Sequence, residues 1–141
     1  MTALTHPLGL TAVLPVSYDT AIYEVTAALK EQGFGVLTEI DVKETLKKKL
    51  DVDVRPYAIL GACNPPLAHR ALSQDPIVGL MLPCNVVVYD NGDGTTTVSA
   101  INPMAAIGIV GNPILNEVAQ EATDKLNIVM ADLQQTLREP A

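Results

Sequence analysis

The chain has 141 residues, 48% hydrophobic and 18% charged, with a formal net charge of −7, two cysteines and two histidines. That length suits one domain with a single core, and the composition excludes extended disorder. Two cysteines outside a CxxC spacing exclude a disulfide framework, and the negative charge disfavours binding of nucleic acid through its phosphates. No apolar run approaches the roughly 20 residues that cross a bilayer, and Met1 to Pro7 lack the basic and apolar regions of a secretory signal. The expectation is a single cytoplasmic domain over 1–141, its core from about 8 to 137, with neither nucleic acid nor membrane as partner.

Leu8 to Val16 alternates apolar with small or polar residues and predicts a first strand. Ser17 offers an N-cap, Ala21, Ile22, Val25, Ala28 and Leu29 recur at helical spacing, and Gly33 closes the helix. Phe34 to Ile40 reads as a second strand. Asp41 followed by Glu44 matches a capping box for a short helix whose buried line is Val42, Leu46 and Leu50, with Lys43, Lys47, Lys48 and Lys49 outside. Arg55 to Cys63 is nearly continuously apolar and predicts a strand covered on both faces. Between Lys43 and Arg70, six basic residues against three acidic ones give +3, so the remainder of the −7 chain carries −10.

Three Asn-Pro pairs, at Asn64, Asn102 and Asn112, each predict a helical start, because asparagine caps well and proline lacks an amide that would have no partner there. The first helix runs from Pro65 to about Gln74. Asn85 to Tyr89 and Thr95 to Ile101 flank Asp90-Asn91-Gly92-Asp93-Gly94 and read as a hairpin. A last helix runs from Pro113 to about Leu137, with Leu115, Val118, Ala122, Leu126, Val129, Leu133 and Leu137 in one stripe. The order predicts an α+β fold: an antiparallel or mixed sheet covered mainly on one face by helices.

"FGVLTEIDVKETLKKKLDVDVRPYAILGACNPPLAHRAL", "LPCNVVVYDNGDGTTTVSAINP" and "GNPILNEVAQEATDKL" together resemble the bacterial and archaeal family called domain of unknown function 302 over nearly the whole chain. The resemblance implies a TATA-box-binding-protein-like α+β fold and association as a homodimer. It implies no activity, and the fold analogy carries no DNA binding.

Candidate chemistry gathers around Cys63. Cys63 precedes a helix start, near free amides, Asn64, Arg55 and Arg70, a setting that lowers a thiol pKa. Cys84 opens the next strand after Pro83, and His69 lies one turn into the helix. If the three converge, two thiolates and an imidazole suit a metal ion or haem iron with an open position. A buried thiol that behaves as a small hydrophobe is the plainer reading of Cys63. Lys43, Lys47 and Arg55 are a second candidate, for a phosphate, carboxylate or sulfur oxyanion, although no phosphate-binding loop motif is present.

Three functions follow. The first is a homodimeric binding protein with a ligand site at Cys63, Asn64, His69, Arg70 and Cys84, for a small anion, metal or haem. The second is a thiol redox or sulfur-transfer protein with Cys63 as nucleophile and Cys84 as resolving thiol. The third is an interaction module without a ligand. Dimerisation suits all three, because the long final helix offers more apolar area than one small sheet covers.

Overall fold

A computed structural model of the chain describes residues 3–137. Six strands, β1 (Ala3–Thr5), β2 (Gly9–Leu14), β3 (Gly35–Asp41), β4 (Tyr57–Cys63), β5 (Cys84–Asp90) and β6 (Thr96–Ile101), form one sheet in the order β1-β2-β6-β5-β4-β3. Every neighbouring pair is antiparallel. β5 and β6 form the predicted hairpin, and Gly92 and Gly94 in its turn take φ of 81° and 87°, values open to glycine at no steric cost. β1 pairs with β2 along an edge where no strand was expected, and a three-residue segment is too short for an alternation pattern to register.

Helix α1 (Tyr18–Glu31) starts on Ser17, whose Oγ accepts from the Thr20 amide at 3.3 Å. Helix α2 (Val42–Leu50) starts on Asp41, whose Oδ1 accepts from the Glu44 amide at 2.9 Å. Each Asn-Pro pair caps a helix as expected: Asn64 for α3 (Pro65–Gln74), Asn102 for α4 (Pro103–Ala106) and Asn112 for α5 (Pro113–Thr136). Short 3₁₀ helices at Pro76–Met81 and Ile107–Val110 follow α3 and α4.

The core divides into two clusters. In the larger, Ala12, Leu14, Ala58, Leu60, Val86, Val88, Val98 and Ala100 on one sheet face meet Val25 and Leu29 of α1 and Leu126, Val129 and Leu133 of α5. Burying each large aliphatic side chain contributes about 1.5–3 kcal/mol. The smaller cluster joins Leu67 and Ala71 of α3, Val78 and Ile107 of the 3₁₀ helices, and Leu115, Val118 and Ala122 of α5. The predicted stripe of α5 is therefore covered along its length, its first half by helices and its second half by the sheet.

Two expectations are corrected. β4 is not covered on both faces: Ala58, Leu60 and Ala62 are buried, whereas Tyr57, Ile59 and Cys63 are half-buried on the other side. The helices stack on one face of an antiparallel sheet and leave the opposite face open. The line Val42–Leu46–Leu50 of α2 is also not buried. Val42 and Leu46 are half-buried over the open face near Tyr57, and Leu50 is 66% exposed.

Candidate functional site

Strand pairing brings the two thiols to one place. Ala62 of β4 pairs with Cys84 of β5, which sets Cys63 one residue along from that pair. Both cysteines line a cavity of about 30 Å³ between the two core clusters. Its other walls include Phe34, Leu67, Ala71, Ile107, Val118 and Ala122. That volume would hold a water or two, yet the hydrocarbon lining gives water few partners, so the cavity is of the dry kind.

Cys84 shares its sheet face with Val86 and Val88, and its side chain is buried. Burial pushes the Cys84 thiol up to about 11, and the neighbouring Cys63 adds to the effect. A thiol held neutral in this way is a poor nucleophile and a poor metal ligand at neutral pH. Cys63 is half-buried.

His69 is separated from both sulfurs. α3 turns Leu67 and Ala71 inward, one helical turn apart, and His69 between them is exposed and lines neither the cavity nor the hollow beside it. Among the described residues, no group of three or more His, Cys, Asp or Glu side chains is placed to hold a metal ion. A haem, many times larger than the cavity, does not fit the space between the thiols either.

Asn64 and Arg70 have structural roles. Asn64 is buried; its Oδ1 caps α3 by accepting from the Leu67 amide at 3.3 Å, and its Nδ2 donates to the Gln32 carbonyl at 3.3 Å. Arg70 donates to Glu121 on α5 at 2.6 Å, with Glu117 3.9 Å away. These residues border an open hollow of about 440 Å³ in which Glu31 and Glu121 face Arg70 and Lys125. The acids there offset the bases, so the α3 start is not a basic site.

The second candidate also splits. Lys47 pairs with Asp51 at 2.9 Å and Asp53 at 3.6 Å, and Lys48 pairs with Glu44. Lys43 instead donates to the Val54 carbonyl at 2.9 Å, which holds its ammonium group beside Arg55. Arg55 lies over the Tyr89 ring, its Cζ 5.7 Å from the centroid, and no carboxylate pairs with it among the described residues. Tyr89 stacks on Tyr57, with centroids 5.3 Å apart and ring planes 8° from parallel.

Sequence reasoning missed these tyrosines. They are cross-strand partners in the register of β4 with β5, and both point to the open face. With Val42, Leu46, Val54 and Arg55 they line a hollow of about 540 Å³. The signal was available in part, since Arg55, Tyr57 and Ile59 alternate with the buried Ala58 and Leu60.

The model of a family described as "Domain of unknown function DUF302" matches residues 10–133. A solved structure described as the crystal structure of uncharacterized conserved protein DUF302 from Bacillus stearothermophilus is similar to this chain, with a TM-score of 0.82 and 32% sequence identity. The similarity covers 89% of this chain and 98% of that one. No curated protein matches.

Proposed function

Because the chain belongs to the family described as domain of unknown function DUF302, with no activity to inherit, we propose from its surface that it is a binding protein that works as a homodimer. The observation that carries this reading is an uncharged apolar surface at the 3₁₀ helices. Leu80 is 84% exposed, Ile109 70% and Ile77 67%, with Met81, Val110 and Ile114 also exposed. No charged residue occurs from Pro76 to Tyr89 or from Gly94 to Asn116.

Val78 and Ile107 anchor both 3₁₀ helices in the smaller core cluster, so the outward residues flank one shared support. Monomeric proteins rarely leave such a patch uncovered. In a two-fold interface the same patch faces itself. An acidic chain therefore associates with its own copy most readily through a surface free of charge.

The thiol readings have less support. The cavity accommodates only a very small apolar occupant, and Cys84 with its raised pKa does not suit the part of a resolving thiol. A small anion remains the ligand best matched to the basic residues of the open face.

Sedimentation equilibrium across micromolar concentrations tests the dimer. Wild type is expected to sediment as a dimer, Leu80→Glu and Ile109→Glu as folded monomers, and Val87→Lys on the open sheet face as a dimer. A monomeric wild type, or a dimer that only Val87→Lys dissociates, would overturn the reading.

A further inference from the structure

The hollow under α2 has three properties that packing alone does not require. Its floor is a stacked tyrosine pair on the sheet face opposite α1 and α5. Val42 and Leu46, the apolar line of α2, face it but remain only half-buried, because among the described residues no further element closes the space above them. Arg55, which lies over Tyr89, lines the hollow, and Lys43 is held against the carbonyl of the lining residue Val54; neither cation has a carboxylate partner among the described residues. Lys47, Lys48 and Arg70, by contrast, each have an acidic partner.

We propose that this hollow binds a planar aromatic carboxylate, its ring against Tyr57, Tyr89, Val42 and Leu46 and its carboxyl group on the Arg55 guanidinium with Lys43 beside it. Each part of the ligand answers one part of the site. A flat ring continues the aromatic stack and covers the apolar side chains of α2. A carboxylate matches the planar fork of an arginine, which offers two parallel donors. An arginine already lying on an aromatic ring is oriented before the ligand arrives, so less conformational freedom is lost on binding. A hollow of about 540 Å³ has the size of a small-molecule site. The reading is independent of the dimer surface, which lies at the 3₁₀ helices.

Nuclear magnetic resonance titration of the full chain with 2-naphthoate, and with uncharged 2-naphthylmethanol as control, tests the proposal. Naphthoate is expected to shift the amide signals of residues 42–46, 54, 55, 57 and 89, and to bind more tightly than the alcohol. Arg55→Gln should weaken naphthoate about tenfold, the scale of one charge-assisted hydrogen bond at a partly exposed site, and leave the alcohol within about twofold. Tyr89→Leu, which keeps an apolar residue in the strand, should weaken both ligands. The proposal falls if naphthoate shifts no signal in this hollow at millimolar concentration, or if Arg55→Gln leaves its affinity unchanged. It falls equally if Arg55→Gln or Tyr89→Leu dissociates the dimer, because the hollow would then be a subunit contact.

Discussion

The thiol cavity and the tyrosine hollow lie on opposite sides of the same two strands, β4 and β5. Cys84, Val86 and Val88 point to the helix-covered face, whereas Tyr57 and Tyr89 point to the open one. The covered side holds the buried Cys84 beside a cavity that is small and apolar. The open side holds common residue types in an accessible, basic setting. Rarity of a residue type therefore says less about chemistry than the face of the sheet on which it falls.

The sharpest way to break this contrast is to truncate one aromatic ring on each side. Phe34, the only phenylalanine, is 2% exposed, packs in the larger core cluster and also walls the thiol cavity. Phe34→Ala should lower the unfolding free energy by about 3–5 kcal/mol, since it removes buried area and enlarges an existing void. Tyr89→Leu, on the open face, should cost only about 1 kcal/mol, the scale of the lost aromatic pair. Urea denaturation measures both. Equal losses would make the tyrosine pair a part of the core.

The next largest effect concerns alkaline pH. Burial raises the Cys84 pKa from its ordinary 9.0 to about 11 in the folded chain, so folding favours the neutral thiol. Its contribution is complete below pH 9, where the thiol is neutral in both states. Above that the unfolded state gains by ionising, and the contribution is lost as pH rises through 11. A shift of this size corresponds to about 2–3 kcal/mol. Cys84→Val should flatten stability against pH between these limits relative to wild type, and Cys63→Ser should do so only slightly, because burial is the larger cause. Coincident wild-type and Cys84→Val profiles would show that the thiol is solvated.

Local physics made much of the fold legible. The Asn-Pro pairs marked three helix starts because capping depends on a few neighbouring residues, and the stripe of α5 announced its burial through spacing alone. Non-local information was harder to read. The adjacency of Cys63 and Cys84 rested on the pairing of β4 with β5, and the same register stacks Tyr57 on Tyr89. The face of Cys84 was visible in its alternation with Val86 and Val88, and the outward direction of His69 in its place between Leu67 and Ala71. A count of rare residues overlooks both patterns. Ion pairing was legible only where partners are close in sequence, as for Lys48 with Glu44; Arg70 meets Glu121 across the fold.

The smallest effect separates the two arginines. Arg70 is paired with Glu121 while 43% of its side chain is exposed, so solvent screens the attraction and the pair contributes no more than about 1 kcal/mol. Arg70→Gln should lower stability by that amount or less, and added salt should shrink the difference. Among the described residues Arg55 has no acid to lose, and its stacking on Tyr89 is exposed, where such contacts contribute about 0.5–1 kcal/mol and depend little on added salt. Arg55→Gln should therefore show a stability difference that salt does not change. Thermal denaturation at low and high ionic strength distinguishes the two. A salt-dependent loss in Arg55→Gln would mean that an acidic partner already neutralises it, which would remove the unmatched positive charge from the tyrosine hollow.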